Sequence, residues 1–278
     1  MIKIREFKEN NYRAVWFNGK TIRIALNPKK EITELKYPEF YDVKITGYCK
    51  GNCPWCYMDS SKDDYHYENI AQKVKNYFGL MSSNERPFQV AIGGGEPTSH
   101  PQFIDLLRTF KELGIEPNYT TNGMLSGNKE ILNASKELCG GVAVSCHPHL
   151  RMHWETSAWE YLSKDIKLNF HIIISDRQSV DYFWDLYKEY KDRIDYFVLL
   201  PYEAQGRATK KDIDWKYLVW RLPENTSKIA FGAGFYSYLL QNDHHIKVSL
   251  YEPEIMSKYL DLKDMKLYPS SFNLTPIN

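Results

Sequence analysis

Short β-type segments alternate with segments of helical periodicity from about residue 42 onward. Apolar residues recur at helical spacing in two of the intervening segments, around Val74 and around Leu107, so each has one apolar face. A third helix is predicted over 177–191, with Ser175 or Asp176 as its N-cap. This alternation favours an α/β fold built on a parallel sheet. The predicted strands are 41–46, 88–93, 116–122, 142–146, 167–175 and 195–201.

The chain before this region predicts a β-hairpin. In the segment YRAVWFNGKTIRIAL, alternating apolar residues flank Asn18 and Gly19, a dipeptide that suits a two-residue turn. We expect this hairpin to close one end or edge of the main sheet. After residue 201 the pattern weakens to a short helix over 215–221 and a strand over 228–233, and the segment from 248 fits neither pattern clearly.

Composition narrows the class of protein. The 278 residues include 36 basic and 35 acidic side chains without a long run of either sign, so nucleic acid is not an expected partner. The first residues, MIKIREFKENNYR, lack the apolar segment of a signal peptide, and no apolar run is long enough to span a membrane. A cytoplasmic location is therefore expected. The five cysteines are an odd number, so they cannot all pair in disulfides, and they favour a metal site over a disulfide framework.

Three of these cysteines, Cys49, Cys53 and Cys56, follow the first predicted strand at CxxxCxxC spacing. A structural zinc site normally has four protein ligands, and this segment offers three. A [4Fe-4S] cluster held by three thiolates leaves one iron open to another ligand, which the spacing favours. Zinc binding and a thiol redox site are the alternatives.

The segment CKGNCPWC resembles the CxxxCxΦC signature of the radical S-adenosylmethionine (radical SAM) superfamily, with Trp55 as the aromatic residue Φ. The resemblance covers roughly 41–207 and implies a partial (β/α)6 TIM-like barrel. Residues 1–40 would then form an N-terminal β-hairpin extension, and 208–278 a C-terminal extension that packs on the barrel. In the family the three cysteines hold the catalytic cluster, whose open iron binds the amino and carboxylate groups of S-adenosylmethionine.

The resemblance also implies residues that bind S-adenosylmethionine. Trp55 corresponds to a family position near the adenine, and Gly94, Gly95 and Glu96 in IGGGEPTSHP resemble the GGE motif that binds the methionine amino group. Taken alone, such a turn is a common connection from strand to helix. The remaining candidates stand at the ends of later strands, where barrels assemble their active sites. They are Asn122 in YTTNG, Ser145 in VAVSC and Leu200 in FVLLPYEAQGRA.

The chemistry that the resemblance implies is reductive cleavage of S-adenosylmethionine to methionine and a 5′-deoxyadenosyl radical. The radical takes a hydrogen atom from a peptide or small-molecule substrate, and an external flavodoxin-like or ferredoxin-like protein supplies the electron. Gln205 and Arg207, on the loop after the sixth strand, are candidates to meet that substrate. No cysteine follows Cys146, so the Cys-rich SPASM-type extension of many peptide-modifying relatives is missing and one cluster is expected.

One group of residues departs from the family pattern. Cys139, Cys146, His147, His149 and His153 lie around the end of the fourth predicted strand, with spacings that suit zinc. Histidines at the mouth of a barrel can instead bind the substrate, or they can have neither a metal-binding nor a substrate-binding role. A zinc-stabilised binding module and a barrel that keeps its cluster without turnover are the competing functions.

Overall fold

The computed structural model describes residues 2–155, 162–221, 228–235, 238–239 and 253–277. Among these residues, the main sheet has nine strands, which are β4 (Phe40–Thr46), β5 (Gln89–Gly94), β6 (Glu116–Thr121), β7 (Gly141–Ser145), β8 (Lys167–Ile174), β9 (Tyr196–Pro201), β10 (Ile229–Phe231), β11 (Ser257–Asp261) and β12 (Lys266–Tyr268). Their order across the sheet is β10-β9-β8-β7-β6-β5-β4-β11-β12. All neighbouring strands are parallel except β11 and β12.

Helices pack along this sheet because their apolar residues recur every three or four positions. In the helix Phe103–Glu112, for example, Phe103, Leu106, Leu107 and Phe110 are all buried. The helices are α1 (Ile70–Gly79), α2 (Phe103–Glu112), α3 (Lys129–Leu138), α4 (Arg151–Trp154), α5 (Arg177–Tyr190), α6 (Trp215–Arg221) and α7 (Pro253–Met256), and the 3-10 turns are Pro97–Ser99, Pro148–Leu150 and Ala233–Phe235. None of the described helices is both long and apolar enough to cross a membrane.

The predicted α/β fold is confirmed, and the ends of the six predicted strands match those of β4 to β9 within one residue. Asp176 caps α5 through a capping box with Ser179, as one of the two predicted N-caps. The strand predicted over 228–233 and the helix predicted over 215–221 are present as β10, which pairs with β9, and α6. On its other side the sheet continues with β11, which pairs in parallel with β4 and was not predicted. The pairing of β11 with β4 joins segments more than 200 residues apart, which local periodicity does not reveal.

The N-terminal region forms a separate three-stranded antiparallel sheet of β1 (Ile2–Phe7), β2 (Tyr12–Phe17) and β3 (Lys20–Ala25). The predicted hairpin is β2 and β3, and Asn18 and Gly19 turn it with φ values of 49° and 66°. One face of this sheet covers the N-terminal end of the barrel, where Trp16 stacks on Phe88. This small sheet, the basal sheet, therefore lies opposite the end where the sequence predicts the active site.

Candidate active site

Residues 47–66, the cysteine loop, follow β4 and fold back on themselves. Bridges from Thr46 to His66 and from Tyr48 to Ser61 close its base, and the Cys49 amide donates to the Ser61 carbonyl over 2.8 Å. Asn52, between the first two cysteines, has a φ of 46°, in the left-handed region that Asn tolerates better than most residues. The loop thereby presents all three thiols at the C-terminal end of the barrel, where such folds hold their active sites.

Cys49, Cys53 and Cys56 are partly buried, form no disulfide and interact electrostatically with one another. Burial raises the pKa of the Cys49 thiol and raises that of Cys53 to about 12, so metal binding must displace thiol protons. Within the described part of the chain, no three His, Cys, Asp or Glu side chains converge closely enough for a single metal ion. A cluster has a different requirement, since each thiolate binds a different iron. Three neighbouring thiols, with no fourth protein ligand among the described residues, fit it.

The glycines of the GGE turn let β5 pack against the cysteine loop. The Gly95 amide donates to the Thr46 carbonyl over 2.8 Å, and the Glu96 amide donates to that of Tyr48 over 2.9 Å. A Cβ at Gly94 would overlap the Thr46 carbonyl oxygen, and one at Gly95 would overlap that of Tyr48. Gly94 also has a φ of 110°, which favours glycine. Close packing of two protein segments is therefore a role of these glycines besides the predicted contact with S-adenosylmethionine.

The carboxylate of Glu96 is buried, with 4% of the residue exposed, and it accepts hydrogen bonds from two segments. Its Oε1 accepts from the Thr98 amide and hydroxyl and, over 2.8 Å, from the Thr121 hydroxyl, and its Oε2 accepts from the Asn122 amide over 2.7 Å. Burial raises the pKa of Glu96, and these donors partly offset that shift. Oε2 has one donor among the described residues, so it retains capacity for a further hydrogen bond.

Asn122 connects the end of β6 to the cysteine loop. Its Nδ2 lies 3.6 Å from the Cys49 sulfur, and its Oδ1 accepts from the Met124 amide over 3.0 Å. The residue is 8% exposed. Three candidates from separate segments, Cys49, Glu96 and Asn122, therefore form one hydrogen-bonded group.

Trp55 lies beside the loop that follows β7. Its ring meets the rings of His147 and His149 edge-on, with centroids 5.6 and 5.2 Å apart, and the two imidazoles are stacked at 5.8 Å. The indole Nε1 is buried and has no hydrogen-bond partner among the described residues. A buried donor without a partner fits a position that a ligand covers.

Ser145 and Leu200 stand at the C-terminal ends of β7 and β9, as predicted. Ser145 pairs in register with His171, an interior histidine whose pKa burial lowers to about 4. Leu200 lies beside β10, where a Cβ at Gly232 would overlap its side chain. Among the described residues, no hydrogen bond links either one to the cysteine loop. Their contacts with S-adenosylmethionine stay predictions.

Arg207 holds the cysteine loop, a role that the sequence did not indicate. Its amide donates to the Cys56 carbonyl over 3.0 Å, and its guanidinium donates to the Ser60 carbonyl and lies 3.6 Å from the Asp59 carboxylate. Gly206, with a φ of 62°, allows this approach because a Cβ there would overlap the Tyr57 carbonyl. The GR dipeptide that follows the sixth predicted strand was the available signal, and the contact of Gln205 and Arg207 with a substrate stays a prediction.

The residues that suggested a second metal site lie in two different surroundings. Cys139 and Cys146 are buried in the core, whereas His147 and His149 lie beside Trp55. Burial, together with His149 and His171, lowers the pKa of His147 to about 4. His149 has its Nε2 3.2 Å from the Gly51 carbonyl oxygen, which places this imidazole directly on the cysteine loop.

The sequence model of the Radical SAM superfamily matches residues 43–193, more than half of the chain. The chain therefore belongs to this superfamily of enzymes, as the cysteine spacing and the GGE motif predicted. The cofactors of the superfamily, a [4Fe-4S] cluster and S-adenosylmethionine, are those expected from the sequence, and the residues above fit them. Membership also decides against the zinc-stabilised binding module.

Individual relatives match over part of their length. A probable GTP 3′,8-cyclase of Saccharolobus solfataricus is 30% identical over 89 residues, which are 30% of this chain and 27% of that protein. A 7,8-dihydro-6-hydroxymethylpterin dimethyltransferase of Methanocaldococcus jannaschii is 26% identical over 98 residues, 34% of this chain and 19% of the enzyme. The matches to these curated relatives thus span about a quarter of their length or less.

Among solved structures, Streptococcus suis SuiB bound to the precursor peptide SuiA superposes with a TM-score of 0.63 at 18% identity, covering 88% of this chain and 63% of SuiB. SuiB bound to S-adenosylmethionine gives the same TM-score at 16% identity, with 88% and 64% covered. These likenesses show a shared fold.

Proposed function

We propose that this protein cleaves S-adenosylmethionine reductively and uses the resulting 5′-deoxyadenosyl radical to abstract hydrogen from a peptide or small-molecule substrate. The observation that carries the proposal is the joining of the cysteine loop, the GGE turn and the end of β6 into one hydrogen-bonded site through Cys49, Glu96 and Asn122. When bound, a [4Fe-4S] cluster on the three cysteines supplies the one-electron reduction that breaks the C5′–S bond.

The chain's own residues have three tasks in this function. Cys49, Cys53 and Cys56 would hold the cluster as thiolates, and Arg207 positions their loop. Oε2 of Glu96, at the end of the GGE turn, is available to accept from the methionine ammonium, whose positive charge would favour the ionised carboxylate. Trp55 would cover the bound cosubstrate from the side of His147 and His149.

Both substrate classes have support among the relatives. SuiB, which shares the fold, is described in complex with a precursor peptide, and the cyclase and the methyltransferase are named for small molecules. A reduced flavodoxin-like or ferredoxin-like protein is the proposed electron donor. We place the protein in the cytoplasm, where thiols remain reduced.

The ligand assignment is tested by Cys53→Ala after anaerobic reconstitution. We expect loss of bound iron and sulfide, loss of the brown absorbance, and loss of 5′-deoxyadenosine formation with dithionite. Cys139→Ala is the matched control, because this thiol is buried in the core and should not affect any of these. Wild-type-like turnover in the Cys53 variant would refute the assignment.

The role of Glu96 is tested by Glu96→Gln, which keeps the shape of the side chain and removes its charge. We expect weaker binding of S-adenosylmethionine to the reconstituted protein by calorimetry, by roughly tenfold, since a charge-assisted hydrogen bond contributes about 1.5–3 kcal/mol. Cluster content should not change. Equal affinity in the variant and the wild type would exclude this contact.

A further inference from the structure

The side-chain amide of Asn122 has a fixed orientation towards the cysteine loop. Its Oδ1 accepts from the Met124 amide over 3.0 Å, so Nδ2 is the atom that faces the Cys49 sulfur at 3.6 Å. The backbone amide of Asn122 donates to Glu96 over 2.7 Å, which holds the residue in place. Asn122 is therefore a positioned donor to one of the three thiols.

Cys49 has a second donor, the Gly51 amide, at 3.3 Å. The fit is tight, because a Cβ on Gly51 would lie 3.2 Å from the Asn122 Nδ2 and 3.3 Å from the Cys49 sulfur. Among the described residues, Asn122 donates to Cys49 from its side chain, whereas Gly51 donates from the backbone. The hydrogen bond from Asn122 can therefore be removed by substitution without changing the loop itself.

Hydrogen bonds to the sulfur ligands of a cluster stabilise negative charge, and the reduced cluster carries one negative charge more than the oxidised one. We propose that Asn122 raises the reduction potential of the cluster through its hydrogen bond to Cys49. This inference rests on the proposed function, because it requires that Cys49 is a cluster ligand. The step is the uptake of one electron from a low-potential one-electron reductant, with no bond formed or broken.

Two variants and one matched control test this role. Asn122→Ser keeps an oxygen that can accept from the Met124 amide but is too short to reach the sulfur, and Asn122→Leu keeps the side-chain size without a donor. Asn118→Ser is the control, since the Asn118 amide lies on the same strand and donates to Gln89 and to the Val90 carbonyl. Iron and sulfide content is measured first, and the midpoint potential is then titrated anaerobically by electron paramagnetic resonance without S-adenosylmethionine.

We expect both Asn122 variants to load iron and to become harder to reduce, by about tenfold in the reduction equilibrium, or 59 mV for one electron. The Asn118 variant should retain the wild-type potential. An unchanged or more positive potential in loaded Asn122 variants would overturn this inference and leave the proposed function intact. Failure of both variants to take up iron, while the control does, would overturn it too, because Asn122 would then serve assembly. Failure of the wild type to bind iron would instead refute the proposed function.

Discussion

Two buried glutamates at opposite ends of the barrel show how differently these ends are built. Glu39, at the basal end, is 2% exposed and accepts from the Tyr12 hydroxyl and from the Arg23 guanidinium, with which it forms an ion pair. Glu96, at the site end, is 4% exposed and bonded to hydroxyl and amide donors, with no ion pair among the described residues. The charge at the basal end is neutralised within the protein, whereas Glu96 has no cationic partner in the part of the chain that the structure describes and is suited to meet a cationic ligand.

The same contrast extends to the surrounding packing. At the basal end, Trp16 stacks on Phe88, and the Arg5 guanidinium donates to the carbonyls of Tyr37 and Pro38. At the site end, the cysteine loop is held mainly by hydrogen bonds and by close contacts that Gly94, Gly95 and Gly206 permit. We therefore expect substitutions at the basal end to change stability and substitutions at the site end to change function.

The largest change in stability is expected from Trp16→Ala. The side chain is 4% exposed, and removing a buried tryptophan typically lowers the free energy of unfolding by about 3–5 kcal/mol. Denaturant unfolding measures this change, and cluster content per folded molecule should remain that of the wild type. Trp220→Ala, at a position 54% exposed, is the control and should cost far less. A lower cluster content in Trp16→Ala, without a lower free energy of unfolding, would contradict this contrast between the two ends.

Gly95→Ala should affect function more than stability. The added Cβ would overlap the Tyr48 carbonyl oxygen, so the GGE turn must move away from the cysteine loop. A displacement of about 1 Å in a catalytic site can cost about 100-fold in rate, and 5′-deoxyadenosine formation measures it. Gly79→Ala is the matched control, because a Cβ there meets nothing within 4 Å. Equal activity in the two variants would show that the turn need not pack closely on the loop.

Asp42, on β4 between the two ends, gives a prediction of pH dependence. Burial raises the pKa of its carboxyl from 3.8 to about 7, so between these pH values the folded state keeps a proton that the unfolded state has lost. The contribution of Asp42 to stability therefore falls as the pH rises from about 4 to about 7.

This prediction is checked by comparing the wild type with Asp42→Asn, which cannot ionise. The free energy of unfolding of the wild type minus that of the variant should become more negative across this pH range, by up to about 4 kcal/mol. Chemical denaturation at several pH values measures this difference. A difference that is constant with pH would show that the carboxylate is well solvated in the folded protein.

The smallest effect is expected on the outer face of the basal sheet. Ile2, Ile4, Phe17, Ile22 and Ile24 are between 45% and 65% exposed there. Ile22→Thr should change the free energy of unfolding by less than about 0.5 kcal/mol, because an exposed residue has little packing to lose. A larger loss of stability in thermal unfolding would show that a partner covers this face of the basal sheet in solution.

Several features of this protein follow from local sequence, because they depend on residues that are close together in the chain. Period-two and helical patterns located β4 to β10 and helices α1, α2, α5 and α6, and the spacing of Cys49, Cys53 and Cys56 with the GGE turn indicated the superfamily. The dipeptide of Asn18 and Gly19 predicted the hairpin, although β1, which completes the basal sheet, was not foreseen.

Other features depend on segments that only the fold brings together. The contact between Asn122 and Cys49 crosses 73 positions of sequence, and Arg207 reaches the loop from 147 positions beyond Ser60. Strand β11 pairs with β4 at an edge that β4 does not share with β5, and no local pattern in the sequence encodes which strand pairs at that edge. Local sequence thus determined the spacing of the three cysteines and most strands, whereas the tertiary structure decided which donors surround those thiols, because hydrogen-bond partners are set by distances in space.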